Sequence, residues 1–497
     1  MYVKNSFDPA AAPMVAVADY GETLKFRNLC GVLALQLTGE ETVNSIVFSG
    51  FDEAGNLVKV SGAFEVDPHK DSLSIKPLPK SYSSVKMTCE TPVKLDPTTP
   101  TAFHMVLPAG TYTKFTVMIV TEEGVMYKEA TKPLTIKRSE VQPTAALMYV
   151  ESEYIDLSAV GTANSYIIDK GAGLYSFDAT VIGNGVYGFI DGVEFHTDSP
   201  YIQPADAKCL WEDRVGVINN VDFDGERVIV ATTGKEGNAL IAVTDNNGEI
   251  LWSWHIWVTD KPQDQTYVNS TGEYVMQDRN LGAIRADRGA DNDFYDAHGL
   301  LYQWGRKDPF AIELSDIASG GYHPLFFMTA NSTTLTESIK YPKKMNVVYN
   351  DTWESARVDS LWSSTQKTIY DPCPAGYTIP LQDVWSGLSF EGNDPMLSYA
   401  QWYPEVGAEF YYDGVNATFY PLTGYVNHYA SLYFMPSVID YRSFMWSSMD
   451  DTYVENNPSY AYGFSYQTYP SGSEWVSVDY YREKSEAHAV RCMKDAG

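Results

Sequence analysis

"KFTVMIVTEEGVMYKEA" runs from Lys114 to Ala130, and its reading decides the fold. Apolar and polar residues alternate along its first half, a strand pattern. Polar "TEEG" follows, and then apolar and polar residues alternate again from Val125. Two strand patterns around a glycine-containing turn read as a β-hairpin, turning at Glu122, Glu123 and Gly124. Outward from it the signal repeats. "VLALQL", "SIVFSGF" and "LVKVSGAFEV" are short alternating runs between turn residues, and "LPAGTY" is a turn entering a strand. No useful helical period occurs before Asp260. Short strands at this spacing, without strand–helix alternation, predict antiparallel β-sandwiches.

A second unit begins near Tyr154. "YIDLSAVGTANSYIID", "RVIVATTGKEGNALIAV" and "EILWSWHIWVTD" are strands split by Gly- and Asn-rich turns, and "DNNG" at Asp245–Gly248 predicts another hairpin. In "WSWHIWV", Trp252, Trp254 and Ile256 alternate with Ser253, His255 and Trp257. His255 is read as a satisfied core or edge residue rather than a ligand. "DKPQDQ" at Asp260–Gln265 reads as a linker. Beyond it the composition shifts, with 25 of the 36 tyrosines and 7 of the 11 tryptophans lying after Pro262. Two stretches there suit helices, "DAHGLLYQWGR" and "PLQDVWSGL". Most of these aromatics are expected to fill a core between long loops. Any left exposed would suit stacking on sugar rings or packing on a partner.

The chain has 497 residues, enough for about three or four domains of ordinary size. With 44% hydrophobic residues it packs cores rather than staying disordered. The formal charge is 35 − 64 = −29. Such a surface repels phosphate backbones and anionic lipid, so neither nucleic acid nor a membrane surface is an expected partner. No apolar run approaches the roughly 20 residues of a membrane helix. Residues 1–20 lack a signal-peptide pattern, and any export signal or lipid-anchor cysteine is expected upstream of Met1.

Only two of the five cysteines, Cys30, Cys89, Cys209, Cys373 and Cys492, lie in the aromatic region. A Cys373–Cys492 bridge would close a loop of about 120 residues and stabilise by on the order of 4 kcal/mol, as suits an exported protein. Cys30, in "NLCGVLALQL", reads as a buried thiol. Cys89 and Cys209 have no evident mate. No CxxC, HExxH or paired Cys/His spacing supports a metal or redox centre. Asp287, Asp291, Asp293 and Asp296 in "DRGADNDFYDAHG" lack the spacing of a calcium loop and read as a solvated acidic loop. No GxSxG, P-loop or GxGxxG stands in a fitting context, so neither an enzyme nor a cofactor is expected.

Five motifs carry a resemblance: "MQDRNLGA" (Met276–Ala283), "GLLYQWGRKDPF" (Gly299–Phe310), "DPCPAGYTIP" (Asp371–Pro380), "MWSS" (Met445–Ser448) and "AVRCMKD" (Ala489–Asp495). In this order they resemble the fibrobacter-type major-paralogue domain of Bacteroidales surface proteins, a distant relative of the C-type-lectin-like fold and of the formylglycine-generating domain. The resemblance implies two helices, an irregular β core and a terminal disulfide. Pairing of Cys373 with Cys492 speaks against formylglycine-generating chemistry, which needs reactive thiols. "LKFRNLCGVLALQLTGEETVNSIVFSG", "VLPAGTYTKFTVMIVTEEG" and "KPLTIKRSEV" resemble the N-terminal domain of fimbrillins, the type V pilins. The middle resembles the Ig-like module that often precedes the paralogue domain.

The expected fold is therefore mainly β: a fimbrillin-like (transthyretin-like) β-sandwich over 1–150, an Ig-like β-sandwich over 151–262, and an α+β C-type-lectin-like domain over 263–497. The resemblance implies an extracellular, surface or fimbrial adhesin, joined to other pilin subunits by donor-strand complementation and facing a glycan or protein receptor. Trp304, Trp402, Trp475 and Tyr481 are the contact candidates. A surface glycan-binding lipoprotein outside any fibre is the alternative. Only five residues follow Cys492, too few for a donor strand, so a tip position in the pilus is expected.

Overall fold

The hairpin read from Lys114–Ala130 is present in the computed structural model: Lys114–Thr121 pairs antiparallel with Val125–Ala130, with Val120 opposite Val125, and Thr121 N–H donates to Gly124 O across the turn. The structure describes the chain except residues 71–72, 187–188, 191–192, 195–198, 290–292, 314–322, 364–365, 389–398, 404–405, 428–431, 434–441, 451–458, 469–473 and 496–497. The fold is mainly β. It forms two compact units, Met1–Ile155 with Ala172–Ser176 and Ile218–Thr233, and Asp156–Gly171 with Phe177–Val217 and Gly234–Gly497. The segment 151–262, expected as a domain of its own, contributes strands to both.

In the first unit two sheets form a sandwich. One has Cys30–Thr38 at its centre, flanked by antiparallel Thr101–Pro108 and by parallel Val141–Pro143 and Leu147–Met148. The other runs Val125–Ala130, Lys114–Thr121, Thr42–Phe51, Ser84–Lys94. Strand alternation sends Leu33, Leu35, Leu37, Phe103, Met105 and Leu107 from one sheet, and Ile46, Phe48, Val117 and Ile119 from the other, into one core. The second sheet is covered on its other face as well. Val47, Met118, Val120 and Val125 join Leu174, Ile229 and Ala231 in a second cluster. Burial on both faces is why Val117–Val120 is an unbroken apolar run, where alternation was expected.

A polar seam crosses that second layer. Asp222, fully buried, accepts from Ser45 Oγ and from Lys86 Nζ at 2.5 Å. Asn220 Nδ2 donates to Ser49 Oγ at 3.0 Å. Replacing Asp222 by alanine removes the acceptor of Ser45 Oγ and the carboxylate 2.5 Å from Lys86 Nζ. Lys86 is a quarter exposed and regains water, so the expected loss is about 2 kcal/mol. It should appear as a lower urea midpoint of the first unit, with Asp222→Asn intermediate.

In the second unit, Ser165–Ile168, Ile250–Val258, Gly237–Thr244 and Asp206–Glu212 form one sheet. "DNNG" closes the hairpin between Gly237–Thr244 and Ile250–Val258, with Asp245 N–H donating to Glu249 O. Among the described residues, a larger sheet runs Leu432–Tyr433, Tyr425–Val426, Ala487–Ala489, Arg442–Asp450, Tyr460–Thr468, Glu474–Glu483, with Leu301–Gln303 also on Ala487–Ala489. Trp385, Phe410, Tyr420, Met445, Phe464 and Tyr466 pack its core, the fate expected for most aromatics of this region.

The helices differ from expectation. "PLQDVWSGL" does turn, as a 3-10 helix over Gln382–Leu388. "DAHGLLYQWGR" does not make one helix. A 3-10 helix covers Asp293–Ala297, Gly299 takes φ +73° with Leu281 O against the place a Cβ would occupy, and Leu301–Gln303 is a strand. Pairing with Ala487–Ala489 outweighs local helix preference there. An α-helix not expected from the sequence spans Leu335–Lys340, and Thr334 Oγ1 accepts from Glu337 N–H at its start. The Thr-x-x-Glu spacing is half of a capping box and was its signal.

Candidate receptor-binding face

Cys373 and Cys492 are bonded, and both are fully buried. "DPCPAGY" is shaped around Asp371, whose Oδ1 accepts from Cys373 N–H (2.8 Å) and Lys367 Nζ (2.6 Å), and whose Oδ2 accepts from Thr378 Oγ1 (2.7 Å) and Ile379 N–H (3.0 Å). Beyond the bridge, Met493–Lys494 pairs with both Gly272–Gln277 and Tyr377–Thr378. The prolines and glycine around Cys373 thus serve a tight loop that receives the last strand of the sheet. Cys30, expected buried, is half-buried at the start of its strand, whereas Cys89 is buried and its thiol is pushed up to about 11 by burial.

Of the four contact candidates, Tyr481 alone is shown at the surface, 42% exposed. Trp304 is 1% exposed, with Nε1 donating to Ser447 O at 3.0 Å and Lys484 Nζ 4.3 Å from its ring centroid. It is a core residue; "GLLYQWGRKDPF" folds it inward because Leu301–Gln303 is an interior strand. The side chains of Trp402 and Trp475 lie outside the described residues. Sequence reasoning missed Tyr349, 58% exposed, and Tyr460, whose ring meets that of Tyr481 edge-on with centroids 5.3 Å apart. The alternation in "YAYGFSY" marks a strand but does not tell which tyrosines stay exposed, and nothing in "NVVYND" marks Tyr349.

Two carboxylates of the acidic stretch are described, and both are paired with arginines. Asp287 accepts from Arg285 Nε at 2.8 Å and Asp296 from Arg214, while Asp291 and the side chain of Asp293 lie outside the described residues. No group of three His, Cys, Asp or Glu that could hold a metal occurs among the described residues.

A buried string deserves comparison with a catalytic arrangement. Ser165 Oγ lies 3.0 Å from His255 Nδ1, His255 Nε2 lies 2.8 Å from Asn238 Oδ1, and Asn238 Nδ2 donates to Asp213 Oδ2 at 2.6 Å. Ser165 Oγ also donates to Pro372 O at 2.6 Å, and all four residues are at most 3% exposed. No substrate reaches the hydroxyl, so the string ties strand Ile250–Val258 to its neighbours, as expected for a satisfied core histidine. Beside its Asp213 end is a cavity of about 20 Å³, room for about one water.

Burial pushes His255 and His298 down to about 3. Their folded pKa lies below the unfolded value near 6.5, so below that value the unfolded state binds more protons. Their stability contribution is present above pH 6.5 and is lost as pH falls toward 3. Asp213 acts in the opposite sense, since burial raises its carboxyl. The unfolding free energy of the second unit, from urea titration, should fall from pH 7 to pH 4.5, by up to about 1.4 kcal/mol per pH unit for each histidine. His255→Gln should flatten the slope.

No family model matches the chain, and no curated protein matches it. Among solved structures, a tandem pair of titin Ig domains aligns over 47% of this chain and 95% of its own length, at 8% identity and a TM-score of 0.11. A score that low carries no argument about fold or function.

Proposed function

We propose that the protein is an extracellular surface adhesin, a tip or other accessory subunit of a type V pilus, whose region after residue 262 faces a glycan or protein receptor. The observation that carries the reading is the buried Cys373–Cys492 bridge. It joins two of the motifs on which the resemblance to the major-paralogue domain rests, and such bridges persist in oxidising compartments. The first unit, a sandwich built on the segments that resemble fimbrillins, is the part that would accept a strand from another pilin subunit. The strand Met493–Lys494 is already engaged on both sides in its own sheet, so that strand is not one the protein would donate. No described helix is long and apolar enough to cross a membrane.

Immunogold labelling of native pili tests the reading. Label at one end of each fibre is the expected result, and label along the whole shaft would rule the tip assignment out. Failure to co-purify with pilin subunits would favour a surface glycan-binding lipoprotein instead.

A further inference from the structure

The second unit carries a small aromatic platform at one end of the Tyr460–Thr468 and Glu474–Glu483 pair. Tyr462 lies opposite Tyr481 in register, Tyr460 lies opposite Glu483, and the Tyr481 ring meets both tyrosines edge-on. A loop is pinned against this end by Asn350, which adopts φ +52°, a conformation asparagine tolerates. Its N–H donates to Glu483 Oε2 at 3.1 Å, its carbonyl accepts from Ser459 Oγ at 3.0 Å, and its Oδ1 accepts from Tyr460 OH at 3.2 Å. Tyr349 is thereby set beside Tyr460. Burial first, and then Glu483, Tyr481 and Tyr349, raise the pKa of the Tyr460 hydroxyl, which places those groups within electrostatic range of it. Tyr349 and Tyr481 remain 58% and 42% exposed.

We propose that Tyr349 and Tyr481, braced by Tyr460, form the binding platform for a neutral glycan. Three observations select that ligand. Glu483 accepts from the neutral Asn350 N–H, Glu486 lies 3.1 Å from His488, and Asp351 pairs with Arg357 at 3.1 Å. The first two carboxylates keep their negative charge beside the rings and repel an anionic glycan. The exposed rings are phenols, each with an apolar face for the C–H side of a sugar ring and a hydroxyl for its edge. Two such rings cover far less than the roughly 800 Å² per partner of a stable protein interface, yet suit one or two sugar units. The Tyr481 ring is held by Tyr460 and Tyr462 before binding, so little ordering cost is added there.

This site rests on the adhesin reading for its purpose but is tested apart from it. The full chain is applied to an array of neutral oligosaccharides of galactose, N-acetylglucosamine and mannose, with sialylated and sulfated glycans beside them. Any glycan bound is then titrated by calorimetry. The expected result is binding of a neutral glycan that Tyr481→Ala weakens about tenfold or more while Tyr481→Phe stays within about threefold, at an unchanged melting temperature. Should Tyr481→Ala unfold, the exposed Tyr349→Ala decides the same question. Wild-type affinity in both alanine variants would overturn the site and leave the adhesin reading standing. Binding of charged glycans only, or of none on the array, would overturn the ligand class. Glycan binding intact in a protein found outside any fibre would uphold the site and sink the pilus reading.

Discussion

The double variant Cys373→Ala, Cys492→Ala is expected to lose about 4 kcal/mol of stability in the second unit. The two residues lie 119 apart in sequence, so without the bridge the unfolded chain regains the freedom of a loop that long. The strand Met493–Lys494, fixed one residue beyond Cys492, loses its tether, while the first unit contains neither cysteine. Thermal unfolding should therefore separate into two transitions, with the later residues melting roughly 10 °C below their wild-type midpoint. Both sulfurs are buried, and mild reductant on the folded protein should leave the bridge intact. Non-reducing peptide mapping should recover Cys373 and Cys492 in one linked peptide, and finding both as free thiols would refute the argument.

Arg491→Ala should be comparably damaging. The guanidinium is 1% exposed. Its Nε donates to Asn280 Oδ1 (3.1 Å), and its two terminal nitrogens reach Thr418 Oγ1 (3.1 Å) and Phe419 O (2.7 Å). It also stands 3.7 Å over the ring centroid of Tyr420, which in turn meets Tyr267 OH at 2.8 Å and accepts from Trp385 Nε1 at 3.0 Å. These partners are neutral acceptors and a π face, so truncation strands several buried acceptors and opens a cavity at once. The expected cost is about 3 to 5 kcal/mol. Arg491→Lys keeps a charge but cannot present the planar fork, and should recover only part of it. Denaturant midpoints of wild type, Arg491→Lys and Arg491→Ala in that order are the check; an alanine variant within 1 kcal/mol of wild type, a small loss by the usual spread of point mutants, would contradict the reading.

Alternation and turn chemistry made the β architecture legible. Lys114–Ala130, "DNNG" and "LPAGTY" fold as their residues dictate, the last with Tyr112 OH donating back to Pro108 O at 2.9 Å. The disulfide was legible because few cysteines leave few choices. Exposure was not. Trp304, after Gln303, and Tyr481, before Arg482, are both aromatic residues with a polar neighbour, yet one is sealed in the core and the other is 42% exposed, because sheet position rather than local sequence decides. The helix expected through Gly299 failed for a similar reason, since its distant partner Ala487–Ala489 claims Leu301–Gln303 for a strand. Tyr349 gave no signal at all. What places it is Asn350 reaching Glu483 and Tyr460, more than a hundred residues away.

Cys373 and Cys492 also differ in when they appear. At about 5 to 20 residues per second of synthesis, Cys492 arrives some ten seconds after Cys373, and last of the five thiols. For that interval Cys373 shares the chain with Cys30, Cys89 and Cys209, any of which is a wrong mate in an oxidising compartment. The early thiols have their own shelters, Cys89 in a sandwich core and Cys30 and Cys209 half-buried in strands. Order of arrival thus favours the correct pair: segments made first can bury their sulfurs before the final one seeks its partner. A chain stopped short of residue 492 would keep a reactive sulfur at Cys373, a chemical mark of unfinished synthesis.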